Sequence, residues 1–554
     1  MLRLLPFLPY CGLTIILGKP SRIDLTSNSL LSGHPGTVFD KALSPFTKYH
    51  CDIRLVGEQA PLLPNTKVVL LLGDFAKGQL NLKNITLNEC RGNTYHRAGI
   101  TWLCSYDLQE AFDRRNYQVS EEEDSDELPD EGTGKDHSQT QRKNFKYWLL
   151  NDIKKAVDIL LHGYHPQLDI VYRTYPNLEE VIQLCNATTD AYVPFDIETN
   201  SRFKITVLSL AVDNHTVFTI PIYRYTGELA YDQTRLCRFF ASLDKLFSRN
   251  TIIIHNGAFD LFILAWRYRI IPPKKLWDSM VVEHRLSPET EKSLGHVISL
   301  RCHEEFHKNE GVFEPKSREQ EIDLWKYNAK DVARLITIHQ SQVKAVAEAK
   351  LETSINRANK LVGHYLLQAM QGIKLDKDFL VSKLTEQQAL KQQYLRIISI
   401  LTGYHWDVAS WQRIAKYLYE YKSYPKPPPT YVDGKIKYEE LTSAATLYKL
   451  ALKFNIPFLR FLFAFRHATK KAGFLQLDAW TNINSQFTNT ALRDRFTSQT
   501  KVTGTDTFRT ASSKLFGRKG KYPGTKDFNG WGSNAQNIEK ELRKILVADG
   551  NEIY

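Results

Sequence analysis

The sequence predicts a multidomain α/β protein whose last third is mainly helical. Three observations carry this expectation. The chain has 554 residues, 42% of them hydrophobic, enough for three or four separate cores. Short apolar runs such as Val68–Leu72 and Thr251–Ile254 alternate with helix-compatible stretches, as in layered α/β folds. From about residue 355 the apolar positions change period, with Leu361, Tyr365, Leu366, Ala369 and Met370 at helical spacing.

In chain order, MLRLLPFLPYCGLTIILG comes first. It is apolar but carries two prolines and no small-x-small cleavage site. A buried strand over Leu13–Leu17, ending at Gly18, is the expectation. No run approaches the ~20 apolar residues that span a bilayer. The glycine-bearing stretch Ser32–Asp40 opens a helix. Val68–Leu72 is a second buried strand, running into Gly73-Asp74. Arg91-Gly92 and the strand-like Gly99–Leu103 follow. Ser120 to Asp136 reads SEEEDSDELPDEGTGKD, with Leu128 its only large apolar residue, so an acidic disordered insert is expected over 118–140. Trp148–Ile153 opens an amphipathic helix. Together these elements make an α/β domain over residues 1–163.

The next segment, 164–350, carries four carboxylates in three separated motifs. The first is Phe195-Asp196-Ile197-Glu198-Thr199 on a strand-like run, which puts Asp196 and Glu198 on one face. The second is His255-Asn256-Gly257-Ala258-Phe259-Asp260, after the β-branched Thr251–Ile254. A helix starts there. The third is Tyr327-Asn328-Ala329-Lys330-Asp331, where Tyr327 and Asp331 share a helix face. Taken singly, each motif has a plainer reading: Asp-x-Glu as a solvated strand face, His255 as a partly buried histidine, Tyr327 as core. Taken as an ordered set, they describe a site for two divalent cations. Carboxylate oxygens suit Mg²⁺ or Mn²⁺, and such a pair catalyses in-line displacement at phosphorus.

This ordered set resembles the tyrosine-containing branch of the DEDD 3′–5′ exonucleases, the proofreading domain of family A DNA polymerases, over residues 170–345. The resemblance implies a ribonuclease H-like fold with a mixed sheet. It implies Asp196, Glu198, Asp260 and Asp331 as metal ligands, Tyr327 as the residue that orients water, and Thr199 and Asn256 near the terminal nucleotide.

The first domain resembles the uracil-DNA glycosylase superfamily in the order of its glycine turns and strands. Two departures stand at the places where that chemistry needs polar groups. Lys19 replaces the family's acidic residue in Gly18-Lys19-Pro20-Ser21, and Ser105-Tyr106-Asp107 replaces His-Pro-Ser. A glycosylase-like domain used for DNA contact or assembly is therefore expected, rather than an active glycosylase.

Residues 351–554 begin with long helical stretches, Phe379–Leu401 and Ala445–Leu475, separated by a loop with Pro425, Pro427, Pro428 and Pro429. Arg466-His467-Ala468-Thr469-Lys470-Lys471 is a basic segment that suits phosphate or a solvated face equally. Near the end, residues 501–526 hold seven basic residues against one acidic, Asp506. Thr507–Ser513 and Asn534-Ala535-Gln536-Asn537-Ile538 resemble the thumb-to-palm signature of family A DNA polymerases. Phe508 stands where that family has glycine. The resemblance implies DNA contacts for Arg509, Ser512, Ser513, Gln536 and Asn537. It also implies a thumb and the beginning of a palm, without the palm carboxylates needed for nucleotidyl transfer. A second polypeptide carrying palm and fingers is the expected partner, beside primer–template DNA and single-stranded 3′ ends.

Net charge of +12 and pI near 9.1 fit an anionic partner. The seven cysteines show no CxxC or Cys/His metal spacing, so reduced thiols in a cytoplasm-like compartment are expected, with a viral or phage replication system as the setting. The resulting expectation is a metal-dependent 3′–5′ DNA exonuclease serving as the proofreading portion of a replicative polymerase. The alternatives are a catalytically silent DNA-binding assembly subunit and a glycosylase repair enzyme with a nuclease attached.

Overall fold

A computed structural model describes residues 10–18, 50–56, 61–82, 85–107, 111, 145–164, 169–288, 290–308, 310–405, 410–427, 430–432, 435–437, 439–475, 495–505, 507–513 and 540–547. Lys19, the Ser32–Asp40 stretch, the acidic insert, Gln536 and Asn537 lie outside these residues. The chain divides into two units. The first comprises residues 1–366 with 501–511 and 522–525, and the second the remainder.

The first unit holds two sheets. The N-terminal sheet is built from β1 (Tyr10–Leu17), β2 (His50–Leu55), β3 (Val68–Leu72), β4 (Thr94–Arg97) and β5 (Ile100–Ser105), in the order β2-β1-β3-β5-β4. Strands β1, β2, β3 and β5 are parallel, and β4 returns antiparallel along the edge. All five residues of β3 are fully buried, as an apolar run covered on both faces requires. Val68, Leu70 and Leu72 point to one side with Leu149 and Ile153 of helix α1 (Phe145–His162). Val69 and Leu71 point to the other, with Tyr95, Cys104 and Trp148. The seven cysteines are all free thiols.

The second sheet is mixed. Its strands are β6 (Val171–Thr174), β7 (Tyr192–Thr199), β8 (Ile205–Ala211), β9 (Thr216–Pro221), β10 (Thr251–Ile254) and β11 (Lys275–Asp278), in the order β11-β10-β7-β8-β9-β6. β7 is central, parallel to β10 and antiparallel to β8. Helices α2 (Leu178–Ala187), α3 (Gln233–Arg249), α4 (Ala258–Tyr268), α5 (Ser279–Leu286), α6 (Leu294–Arg301) and α7 (Arg318–Ala349) surround it. On one face Phe247 of α3 meets Phe195 edge-on, with ring centroids 5.2 Å apart. Elsewhere Ala329, Val332, Ala333 and Ile336 of α7 pack on Ala211 and Val217. That apolar stripe fixes the rotation of α7 and so decides where Tyr327 and Asp331 point.

The two sheets of this unit are joined by polar contacts. Thr94 N–H donates to the Glu304 carbonyl at 3.0 Å. Lys155 Nζ, on α1, donates to the carbonyls of Gly92 at 2.7 Å, Ser299 at 2.8 Å and Cys302. Burial pushes the Lys155 ammonium down to about 8.

The second unit is mainly helical. It begins at Leu367, within helix α8 (Glu352–Gln371), and α9 (Lys377–Thr402), α10 (Ala444–Phe454) and α11 (Pro457–Phe474) follow. The continuous helix expected over Ala445–Leu475 is in fact two. Asn455 adopts left-handed φ of 47°, Ile456 is extended, and Pro457 begins α11. Proline has no N–H to donate and excludes helical geometry from the residue before it. Among the described residues, no helix is long and apolar enough to cross a membrane.

Candidate metal centre

Strand β7 carries Asp196 and Glu198 two residues apart, so both side chains leave the same face. Helix α7 brings Asp331 to that face. Asp196, Glu198 and Asp331 each place a carboxylate oxygen within 4.8 Å of the others. Asp260 sits in the first turn of α4 and is 5% exposed. Its Oδ1 accepts from the N–H of Ile197, the residue between the two strand carboxylates, at 3.2 Å. The four predicted carboxylates therefore converge, three as a ligand cluster and Asp260 against its backbone.

The electrostatics follow from that crowding. Burial, and then the charges of Asp260, Asp331 and Glu198, push the Asp196 carboxyl well above the usual range. Asp331 goes the other way. Burial would raise it, but Lys308 and His307 hold it down at about 2. Lys308 Nζ stands 2.6 Å from Asp331 Oδ2, and His307 Nε2 stands 2.8 Å from Oδ1. Tyr327 is 3% exposed. Burial, then Asp331, Glu198 and Asp196, raise its phenol far out of the physiological range, so it stays a neutral hydroxyl.

The donor set fits a divalent ion. It is all oxygen, matching hard cations such as Mg²⁺ or Mn²⁺. The Asp196 carboxyl, raised first by burial and then by its carboxylate neighbours, is a group whose ionised form such an ion would favour. Asp196, Glu198 and Asp331 are the residues that would hold it.

The loop before α4 is shaped by Asp278, 2% exposed. Its carboxylate accepts from the N–H groups of Asn256 at 2.9 Å, Gly257 at 2.8 Å and Met280 at 3.0 Å. A Cβ on Gly257 would lie 2.4 Å from Ile254 Cγ2, so only glycine fits. His255 bonds Ser279 Oγ through Nδ1 at 2.9 Å, and burial pushes it down to about 4, leaving a neutral ring.

The residues expected near DNA fall in different settings. Asn256 is exposed, with φ of 56°. Thr199 ends β7 and is buried at 4%. Arg509 is exposed and belongs to the first unit. In the second unit, Ser512 is buried, with its hydroxyl 2.5 Å from Ser498 Oγ, and Ser513 is half-buried.

Four contributors escaped the sequence reading. Asn328 Nδ2 donates to Asp196 Oδ2 at 2.6 Å. It lies three residues before Asp331, and that spacing alone put it on the same helix face. His307 and Lys308 come from a loop with no periodic signal. Asp278 ends the short strand β11 and caps α5, and an acidic N-cap has an ordinary structural purpose.

Comparison with known proteins gives the following. No curated protein matches the chain. Among solved structures, the chain is similar to the POL domain of Pol1 from M. smegmatis, in complex with DNA primer-template and dNTP. The TM-score is 0.49 at 16% identity, over 69% of this chain, which spans 59% of that one. Residues 170–346 match the family model described as 3′–5′ exonuclease. Asp196, Glu198, Asp260, Tyr327 and Asp331 all fall inside that match, so the cluster they form belongs to a 3′–5′ exonuclease domain of the DNA polymerase A type.

Proposed function

We propose that this chain is a metal-dependent 3′–5′ DNA exonuclease that removes mispaired nucleotides from primer ends, acting as the proofreading portion of a DNA polymerase. The observation that carries the reading is the meeting of Asp196, Glu198 and Asp331 within 4.8 Å inside the exonuclease domain. Two divalent ions, when bound, supply the positive charge that activates water and neutralises the departing oxygen. The protein's own residues do the rest. Asp196, Glu198 and Asp331 provide the oxygens. Asn328 holds Asp196 in place. Tyr327, kept as a neutral phenol, orients the attacking water beside Asp331. The water oxygen bonds to phosphorus, the P–O3′ bond breaks, and the proton ends on the new 3′ hydroxyl. The product is a nucleoside 5′-monophosphate. DNA is preferred over RNA as substrate because the C-terminal stretch Thr507–Ser513 resembles a polymerase thumb-to-palm signature. Arg509 within that stretch and Lys501 before it add positive charge suited to a phosphate backbone.

The test is digestion of a 5′-labelled primer with a mismatched 3′ end, annealed to template, with Mg²⁺ and beside Asp196→Ala. Stepwise shortening that disappears in the variant is expected. Absence of shortening in both would favour a silent DNA-binding subunit.

A further inference from the structure

The strongest unexplained feature is a cation already inside the carboxylate cluster. Lys308 lies in the loop between α6 and α7, and its side chain is 24% exposed. Its Nζ is 2.6 Å from Asp331 Oδ2 and 4.3 Å from the centroid of the Tyr327 ring. His307 occupies the other Asp331 oxygen at 2.8 Å. Both oxygens of a ligand carboxylate, itself 2% exposed, are thus taken by the protein's own donors. The ammonium also acts beyond its partner, because its charge pulls against the forces that raise Asp196.

An oxygen that accepts from an ammonium at this distance cannot also ligate a divalent ion without bringing two cations together. Mg²⁺ needs its oxygens at about 2.0–2.1 Å, and two positive charges that close repel strongly where little water screens them. We propose that Lys308 is a positioning residue that serves as a tethered cation. It balances Asp331 while no ion is bound there, and it must leave that oxygen for a divalent ion to enter. This rests on the exonuclease reading above. It adds a consequence that reading does not contain: ion binding at Asp331 is opposed by a competing charge within the chain.

The experiment is Mn²⁺ binding to the full chain without DNA, followed by electron paramagnetic resonance of the free ion. Wild type, Lys308→Met and Asp196→Asn are compared. Lys308→Met keeps most of the length of the side chain and removes its charge. The expected result is Mn²⁺ affinity tightened about tenfold or more in Lys308→Met relative to wild type. Lys308→Gln repeats the measurement if the first variant folds poorly, as judged by its thermal midpoint. Equal affinity in wild type and the Lys308 variants, or weaker binding in the variants, would overturn the tethered-cation role while leaving the metal site standing. Mn²⁺ binding that is absent in wild type, or unchanged by Asp196→Asn, would overturn the metal reading itself and this inference with it.

Discussion

Asn328 donates its amide to Asp196 across 2.6 Å, so helix α7 grips the central strand through a carboxylate at the heart of the site. Asn328 is fully buried, and its contact is part of what holds Asp196 against the repulsion of its neighbours. Asn328→Ala should leave that carboxylate unheld. A partner of this kind is worth ~10–100-fold in activity or metal affinity. Single-turnover digestion should fall by about that factor, with the thermal midpoint as the check on folding. Asn328→Asp should be worse than alanine, because it adds a fifth carboxylate to the cluster. Equal rates for the two variants would show that charge at this position does not matter.

The crowded carboxylates predict that the site is a liability without its ions. The Asp196 carboxyl is raised in the folded chain, so its favourable contribution is present below the ordinary carboxylate range and is lost as pH rises through the folded value. At neutral pH, above the unfolded value, the buried group therefore costs stability. Asp196→Asn removes one charge of the set. In chelator its thermal midpoint should rise by roughly 2–4 °C, the shift that about 1 kcal/mol produces in a domain of this size. Added Mg²⁺ should raise the midpoint of wild type and leave the variant unmoved. A variant that melts lower in chelator would contradict the repulsion argument.

These two predictions draw on parts of the site that differed in legibility. Asp196 with Glu198, and Tyr327 with Asp331, were readable because each pair depends only on local geometry, the period of a strand or a turn of helix. Asp260 was readable as the first turn of α4, since a β-branched run and Gly257 precede it. Lys308 was not. Which loop reaches Asp331 is decided by how α6 and α7 pack, and no spacing within the loop records it. The break between α10 and α11 was missed for another reason. Leu450, Phe454, Phe458 and Leu462 keep a four-residue apolar period straight across Pro457, so the pattern hid the punctuation.

His339 gives the chain an acid-sensitive core. Its ring lies between Tyr192, at 4.6 Å, and Trp277, at 5.0 Å, and burial pushes it down to about 4. The folded value is thus below the unfolded value of about 6.5. The unfolded chain takes up the proton first, so stability is full above about pH 6.5 and declines as pH falls toward 4. Between pH 7.5 and pH 5 the loss from this one ring should be ~1–2 kcal/mol. Urea unfolding at the two pH values measures it. His339→Phe, which keeps an aromatic ring and cannot take up a proton, should shrink the difference by that amount.

The last prediction concerns the bond that stiffens the first sheet. Arg91 donates to both oxygens of Asp152, at 3.0 and 2.7 Å, with both side chains almost wholly buried, and its guanidinium lies 4.1 Å from the centre of the Trp148 ring. Ser105 Oγ also donates to Asp152, at 2.5 Å. Removing one partner of such a pair strands the other charge away from water, at a cost of about 3–5 kcal/mol. Asp152→Asn should pay most of it, since the amide still accepts from Ser105 but no longer balances Arg91. Adding Arg91→Met to that variant removes the stranded charge, so the double variant should be more stable than Asp152→Asn alone. The same helix carries Lys155, which holds the Ser299 and Cys302 carbonyls at the end of α6. Loosening α1 should therefore reach the exonuclease domain. Residues 1–366 should lose structure in one transition in Asp152→Asn, seen as matching midpoints for Trp148 fluorescence and for loss of digestion. Two separated midpoints would mean that the sheets unfold independently and that Lys155 joins them only weakly.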